Sequence, residues 1–406
     1  MKGSRRVVIT GIGIVSSLGI GKDIFWKNII NGVSGISEVT SFDTSAYKCH
    51  MGGEVKNFVP EDFMPKRKVK FLGKTSQLAI AASSLALKDA NIPIKAITSD
   101  KFGVVIGTTL GERSMEESAE SWAKGGIKDL NIQKLFQAAV NNISSNVGIQ
   151  FKARGLNYLI PNACAAGNYA IGYGYDLIKN GDLNFALAGG SESFSHVAFA
   201  GFQRLYAMSA DKCAPFDKNR KGMILGEGSG MLFLESLESA LKRGAGIYAE
   251  VLGYGLSCDA YNATASDVKG IVKVMQKALK DANVNCEDID YICAHGTGTL
   301  MNDKTEAMAI NEIFGQKNKG VLVSSLKSML GHTMGASSAI EAAACCLAIR
   351  DGIVPPTINF ETPDPECDID CVPNKARKKK ITTVLNNGFA FGGNNCCVVF
   401  GEVNSW

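Results

Sequence analysis

No apolar run in this sequence approaches the roughly 18 residues that span a membrane as a helix. It also has no Cys-x-x-Cys pair, no dense face of one charge, no low-complexity linker, and only four histidines in 406 residues. Each absence removes a class of function. The first apolar stretch after Met1 to Arg6 is broken by Thr10, Gly11 and Gly13, so it reads as a first β-strand and not as a secretory leader. A net charge of +4 is too mild to argue for nucleic acid or a membrane surface. One basic run, Lys375 to Lys380, reads as a solvated stretch, or as a patch for an acidic carrier. Zinc is disfavoured because Cys367 and Cys371 have no second pair and no nearby histidine. Twelve cysteines are present, but they include the adjacent pairs Cys345-Cys346 and Cys396-Cys397, which are poor staples. Reduced, buried thiols acting as small hydrophobes in a reducing cytoplasm are the expectation.

What is present is a long chain of alternating strands and helices. The length exceeds one ordinary core, so two core-sized halves are expected, residues 1–248 and 249–406. The 44 glycines point to many tight turns and close backbone approaches. Strands are predicted over 6–14, 102–107, 184–190, 247–255, 289–294 and 320–325, and near Val384 and Cys397. Helices are predicted over 76–89, 268–282 and 337–350. Strands separated by helices imply an α/β fold with a mostly parallel sheet covered on both faces.

Two of the four histidines follow buried strands in glycine-rich turns: Ala294-His295-Gly296-Thr297-Gly298-Thr299 and Leu330-Gly331-His332-Thr333-Met334-Gly335. Strand ends of such sheets are where ligands bind. A lone histidine is more often structural; two in this setting point to function. Cys164 lies in Pro161-Asn162-Ala163-Cys164-Ala165-Ala166-Gly167, between a strand-like segment and a helix pattern. A thiol on such a turn is expected to gain from the helix N-terminus, which lowers its pKa and favours the thiolate. Alone, the segment reads more readily as a buried cysteine at a helix start.

Taken together, Cys164, His295 and His332, with Ser325-Leu326-Lys327-Ser328 and Asn387-Gly388-Phe389-Ala390-Phe391-Gly392-Gly393-Asn394, closely resemble the β-ketoacyl-carrier-protein synthase II family. That family includes catalytic ketosynthase subunits of type II polyketide systems. Ala214-Pro215-Phe216-Asp217 and Gly226-Glu227-Gly228 match as well, and the resemblance covers essentially the whole chain. It implies a thiolase-like layered αβαβα architecture of two similar halves. It implies that Cys164 takes an acyl group from a carrier-protein thioester, with the backbone N–H groups of Cys164 and Phe389 as its oxyanion hole. His295 and His332 then hold the malonyl thioester carbonyl as CO2 leaves. Lys327 and Glu341 resemble the family's supporting charge pair, and Phe389 its gate. Thr264, Thr297 and Thr299 are assigned to the phosphopantetheine arm, and Leu110, Phe202 and Phe391 to substrate binding. No metal or redox cofactor is implied.

Several positions depart from the usual pattern: Asn162 before the nucleophile, Leu300-Met301 where proline is usual, Ala390 for glycine and Asn394 for threonine. Three readings follow: a homodimeric fatty-acid elongating synthase, the catalytic ketosynthase of a polyketide pair with a chain-length-factor-like subunit, or a non-catalytic partner of the same fold. The intact Cys164, His295 and His332 argue against the third. A thiolase needs a second cysteine near the C-terminus, but Cys396-Cys397 lie in an apolar run and read as core. The expected partners are acyl carrier protein, malonyl-carrier protein as substrate, and a second subunit. Glu112, Glu116, Glu117 and Glu120 form an acidic cluster expected to disfavour a symmetric dimer, unless Lys124 and Lys128 neutralise it or it faces solvent.

Overall fold

The computed structural model describes residues 4–97, 99–315 and 320–403. One continuous sheet runs through the molecule. Its first set of strands is β1 (Val7–Ser16), β2 (Phe102–Gly107), β3 (Asn157–Ile160), β4 (Phe185–Glu192) and β5 (Gly228–Ser236). The second is β6 (Ala249–Cys258), β7 (Tyr291–Cys293), β8 (Leu322–Ser324), β9 (Thr383–Phe389) and β10 (Asn394–Gly401). Both sets have the same spatial order: third, second, fourth, fifth, first. The sets join edge to edge where β1 pairs antiparallel with β6, Val7 opposite Val251 and Ile9 opposite Ala249.

The expectation of a mostly parallel sheet is corrected. Pairing is parallel only at the two ends, where β2 meets β3 and β4, and β7 meets β8 and β9. Through the middle it is antiparallel. The β9–β10 connection is the short turn Ala390–Gly393, with no crossover helix to reverse direction. A strand's apolar run reports burial on both faces, and strands between two helix layers have that whatever the direction of their neighbours.

Seven helices matter for the site: α1 (Lys74–Asp89), α2 (Ser114–Gly125), α3 (Ala166–Lys179), α4 (His196–Arg204), α5 (Val268–Ala282), α6 (Leu300–Phe314) and α7 (Ser337–Asp351). Helices α3 and α7 touch each other and strands of both sets, so they form a middle layer. Every residue of α7 from Ser337 to Ile349 is buried, as a helix packed on all sides requires. Gly167 allows the close approach: a Cβ there would lie 2.6 Å from the Ala339 nitrogen. Outside, α1 packs on β1 and β5, and α5 on β6 and β10, which completes an αβαβα stack. The sequence makes α5 amphipathic, with Ile271, Met275 and Leu279 buried at i, i+4 spacing. The Asp267 side chain accepts the Lys269 N–H at one end, and left-handed Asn283 stops the helix at the other.

Three of the four acids of the cluster are paired within the chain, while Glu120 is largely exposed. Glu112 is buried and accepts the N–H groups of Thr75 and Ser76 at the start of α1. Glu116 accepts from Ser195 Oγ and from the Val197 N–H at the start of α4. Arg113 lies 3.5 Å from Glu116, and Lys134 2.7 Å from Glu117. The cluster's cationic partners are therefore Arg113 and Lys134, not Lys124 and Lys128. In the basic run, Arg377 pairs with Asp370 and Lys379 with Asp290. Among the described residues no helix is long and apolar enough to cross a membrane.

Candidate active site

Four turns at strand ends converge on one cavity of about 310 Å³. Cys164 comes from the turn after β3, where Ala163 has φ +46° and the backbone rolls through a single helical turn into α3. His295 follows β7, His332 follows β8, and Phe391 sits in the turn between β9 and β10. Cys164 Sγ lies 3.1 Å from His332 Nε2. The two imidazoles meet edge to face, with centroids 5.4 Å apart. Thr264, Thr297 and Thr299 line the cavity, as do Phe202, Phe389 and Phe391. The hydroxyls of Thr297 and Thr299 are 2.9 Å apart. Leu110 is not among the lining residues; its side chain is 41% exposed, while its N–H is fixed by Glu192.

The hydrogen bonds assign the His332 tautomer. Its Nδ1 accepts the Met334 N–H at 3.1 Å, and a backbone N–H can only donate. The ring proton is therefore on Nε2, facing the Cys164 sulfur. Burial holds His332 well below the usual imidazole range, and nearby Lys327 pushes the same way. His295 is lowered for the same two reasons, with His332 adding to them. Both rings are neutral. Lys327 Nζ is 2.5 Å from Glu341 Oε1, and both side chains are almost wholly buried. Burial pushes Glu341 up, opposed by Lys327.

Two expectations are corrected here. The Cys164 thiol is not lowered: burial pushes it up to about 12, more than Lys327 and the N–H groups facing it take back, and the Glu192 carboxylate adds to the rise. Only 6% of the residue is exposed, so desolvation outweighs the helix terminus. Second, the N–H groups that reach the sulfur are those of Cys164 and Phe391, not Phe389. Phe389 ends β9, its backbone paired with Asn395 and its ring buried 5.8 Å from His295. Phe391, two residues on, lies in the free turn; it is 41% exposed and packs on Phe202. Its position in the free turn fits the gate role expected above of Phe389.

Sequence reasoning passed over the charged groups that hold the first histidine loop. Glu306 accepts the N–H groups of His295 and Gly296, both at 2.8 Å. Asp303 accepts those of Thr297 and Gly298. Arg220 donates to the carbonyls of Thr299 and Leu300. All three are buried. The available signal was an i, i+3 pair of acids on the helix after a glycine-rich loop. Cys396 and Cys397 are fully buried in β10, far up in pKa through burial, and do not line the cavity.

Comparison with known proteins agrees with this geometry. The family model described as "Beta-ketoacyl synthase, N-terminal domain" matches residues 4–240, and "Beta-ketoacyl synthase, C-terminal domain" matches 248–361. The 3-oxoacyl-[acyl-carrier-protein] synthase 2 of Staphylococcus aureus (strain COL) is 40% identical, over 98% of this chain and 99% of that protein. A solved ishigamide ketosynthase/chain length factor superposes with a TM-score of 0.96 at 41% identity, covering 99% of this chain and 100% of that one. The ketosynthase structure AntDE:AntF, a type II polyketide synthase acyl-carrier protein in complex with its ketosynthase, gives a TM-score of 0.90 at 34% identity, with 99% and 100% covered. Two matched family models, full-length relatives and a shared fold leave one conclusion: this chain belongs to the β-ketoacyl synthase family of acyl-transferring condensing enzymes.

Proposed function

We propose that the chain catalyses decarboxylative Claisen condensation between a Cys164-bound acyl group and malonyl-carrier protein, as the catalytic ketosynthase of a type II polyketide system. The observation that carries the chemistry is one cavity holding a thiol, two neutral imidazoles and the N–H groups of Cys164 and Phe391. The thiol attacks an acyl thioester, its proton leaves with the carrier thiol, and the two N–H groups hold the tetrahedral oxyanion. Malonyl-carrier protein then enters; His295 and His332 donate to its thioester carbonyl as the C–C bond to the carboxylate breaks and CO2 departs. The enolate carbon attacks the acyl carbonyl, and the Cys164 sulfur leaves. Thr264, Thr297 and Thr299 bind the phosphopantetheine arm. The electrons balance without a redox partner, so no cofactor is called for.

The polyketide assignment is supported by the likeness to the ishigamide ketosynthase/chain length factor. A second reading, fatty-acid elongation by a homodimer, is favoured by the 3-oxoacyl-[acyl-carrier-protein] synthase 2 relative. In either, the partner subunit adds to the free edge of β3. The division into 1–248 and 249–406 stands as part of this proposal. Incubation with acyl- and malonyl-carrier protein, with and without co-expressed ketosynthase-like neighbours, tests it by product mass. No β-ketoacyl product under any combination overturns the chemistry. A single-extension product made by the homodimer alone overturns the polyketide reading.

A further inference from the structure

One buried carboxylate lies between two loops. Glu192, at the end of β4, is 1% exposed. Its Oε1 accepts the Thr108 hydroxyl at 3.0 Å and the Leu110 N–H at 3.1 Å. Its Oε2 accepts the Thr109 N–H at 2.5 Å and the Gly335 N–H at 3.1 Å. The first three donors belong to the turn after β2, the last to the His332 loop. The two loops are in close contact: a Cβ on Gly335 would lie 2.5 Å from Thr109 N. Gly335 follows Met334, whose backbone has φ +51° and whose N–H fixes His332 Nδ1. On the other side, Thr108 Oγ accepts the Gly111 N–H, and Glu112, the next residue, caps α1 just before α2 begins.

We propose that Glu192 is the positioning residue for His332: its shared carboxylate pins the 334–335 backbone to the 108–111 turn and so keeps His332 Nε2 on the Cys164 sulfur. The left-handed conformation of Met334 is unfavourable for a side-chain-bearing residue and persists only where its surroundings impose it. Gly335 has its N–H taken by Glu192, and that bond imposes it. Because the same carboxylate fixes Thr109 and Leu110, a shift of the turn leading to α2 is passed to the imidazole. Four donors on a carboxylate that burial pushes up to about 7 agree with a group kept for what it holds in place.

This deepens the proposed function, since it rests on His332 acting at the malonyl carbonyl; the test therefore has one arm that does not. Glu192→Gln puts an amide NH2 against N–H donors, so one loop must be released. Alkylation of Cys164 by iodoacetamide, followed by mass spectrometry at mildly alkaline pH, reads the His332–sulfur hydrogen bond directly. Removing the Glu192 charge by itself eases thiolate formation, so the lost His332 donor must outweigh it; we expect the rate to fall roughly tenfold. Malonyl-carrier decarboxylation should lose about 100-fold in kcat, the cost of an ångström-scale misplacement, with KM unchanged. Thr108→Val, which removes one donor, should fall between wild type and E192Q in both assays. A folded E192Q protein with wild-type alkylation and wild-type kcat overturns the proposal. If E192Q does not fold, unaltered alkylation in T108V overturns it. A wild-type protein that alkylates as described but never decarboxylates malonyl-carrier protein sinks the functional reading and leaves the positioning role standing.

Discussion

A thiol whose proton is held to about 12 reacts only as fast as its surroundings favour the anion. Here they are the Nε2–H of His332, two backbone N–H groups and, farther off, the Lys327 ammonium. Alkylation of Cys164 should therefore keep rising with pH without levelling off near the ordinary thiol pKa, and Cys164→Ala should take up no acyl group; intact-mass measurement after exposure to acyl-carrier protein checks the second. The two histidines are not equivalent. His332→Ala removes a donor to the sulfur and should slow acylation, whereas His295→Ala should spare it; both should abolish condensation. Equal acylation by the two variants, followed by quenched mass spectrometry, would contradict this. Lys327→Met leaves Glu341 buried without its partner, which costs about 3–5 kcal/mol. Glu341 then rises further above its unfolded pKa, so the folded state binds the proton more tightly. The deficit is accordingly smallest at acid pH and grows as pH climbs above the usual carboxylate range. Urea denaturation across pH reads it, and the double change K327M/E341L should recover most of the loss.

Among the elements, what was legible depended on whether the signal was local. Helix α5 was read at its true ends because Asp267, Asn283 and the i, i+4 stripe all lie within it. Strand β2 was bounded correctly by its own apolar run. Strand direction was misread, since nothing inside a strand records which way its neighbour runs. Phe389 and Phe391 flank one alanine in a single motif, and only the ladder ending at Phe389 tells the strand residue from the turn residue. The lowered thiol was misjudged because the turn around Cys164 gives no hint of the layers that close over it. Asp303, Glu306 and Arg220 act through backbone groups distant in space from any motif. The middle layer offers a test at this scale: Gly167→Val drives a side chain into Ala339 of α7 and should cost about 1–3 kcal/mol. Its denaturation midpoint should fall with an unchanged slope.

For the whole molecule, the exposed surface is most apolar along and beyond α2, where Trp122, Ile127 and Phe136 are 62%, 80% and 73% exposed. Ile127→Asp with Phe136→Asp should convert an assembled form to monomer on native mass spectrometry; an unchanged mass would place the subunit contact elsewhere. The repeated strand order has a consequence of its own. Cys164 follows the third strand of the first set and His332 the third strand of the second, so the two loops occupy equivalent places in the two sets. One carries the thiol and the other the imidazole that contacts it at 3.1 Å. Neither set of strands owns a complete reactive centre; it exists only where they meet. A chain nicked at the exposed Gly244 or Gly246 would leave the sulfur on one polypeptide and both imidazoles on the other. Once the two pieces were separated, catalysis would obey a rate law in both their concentrations, as for an encounter between separate molecules.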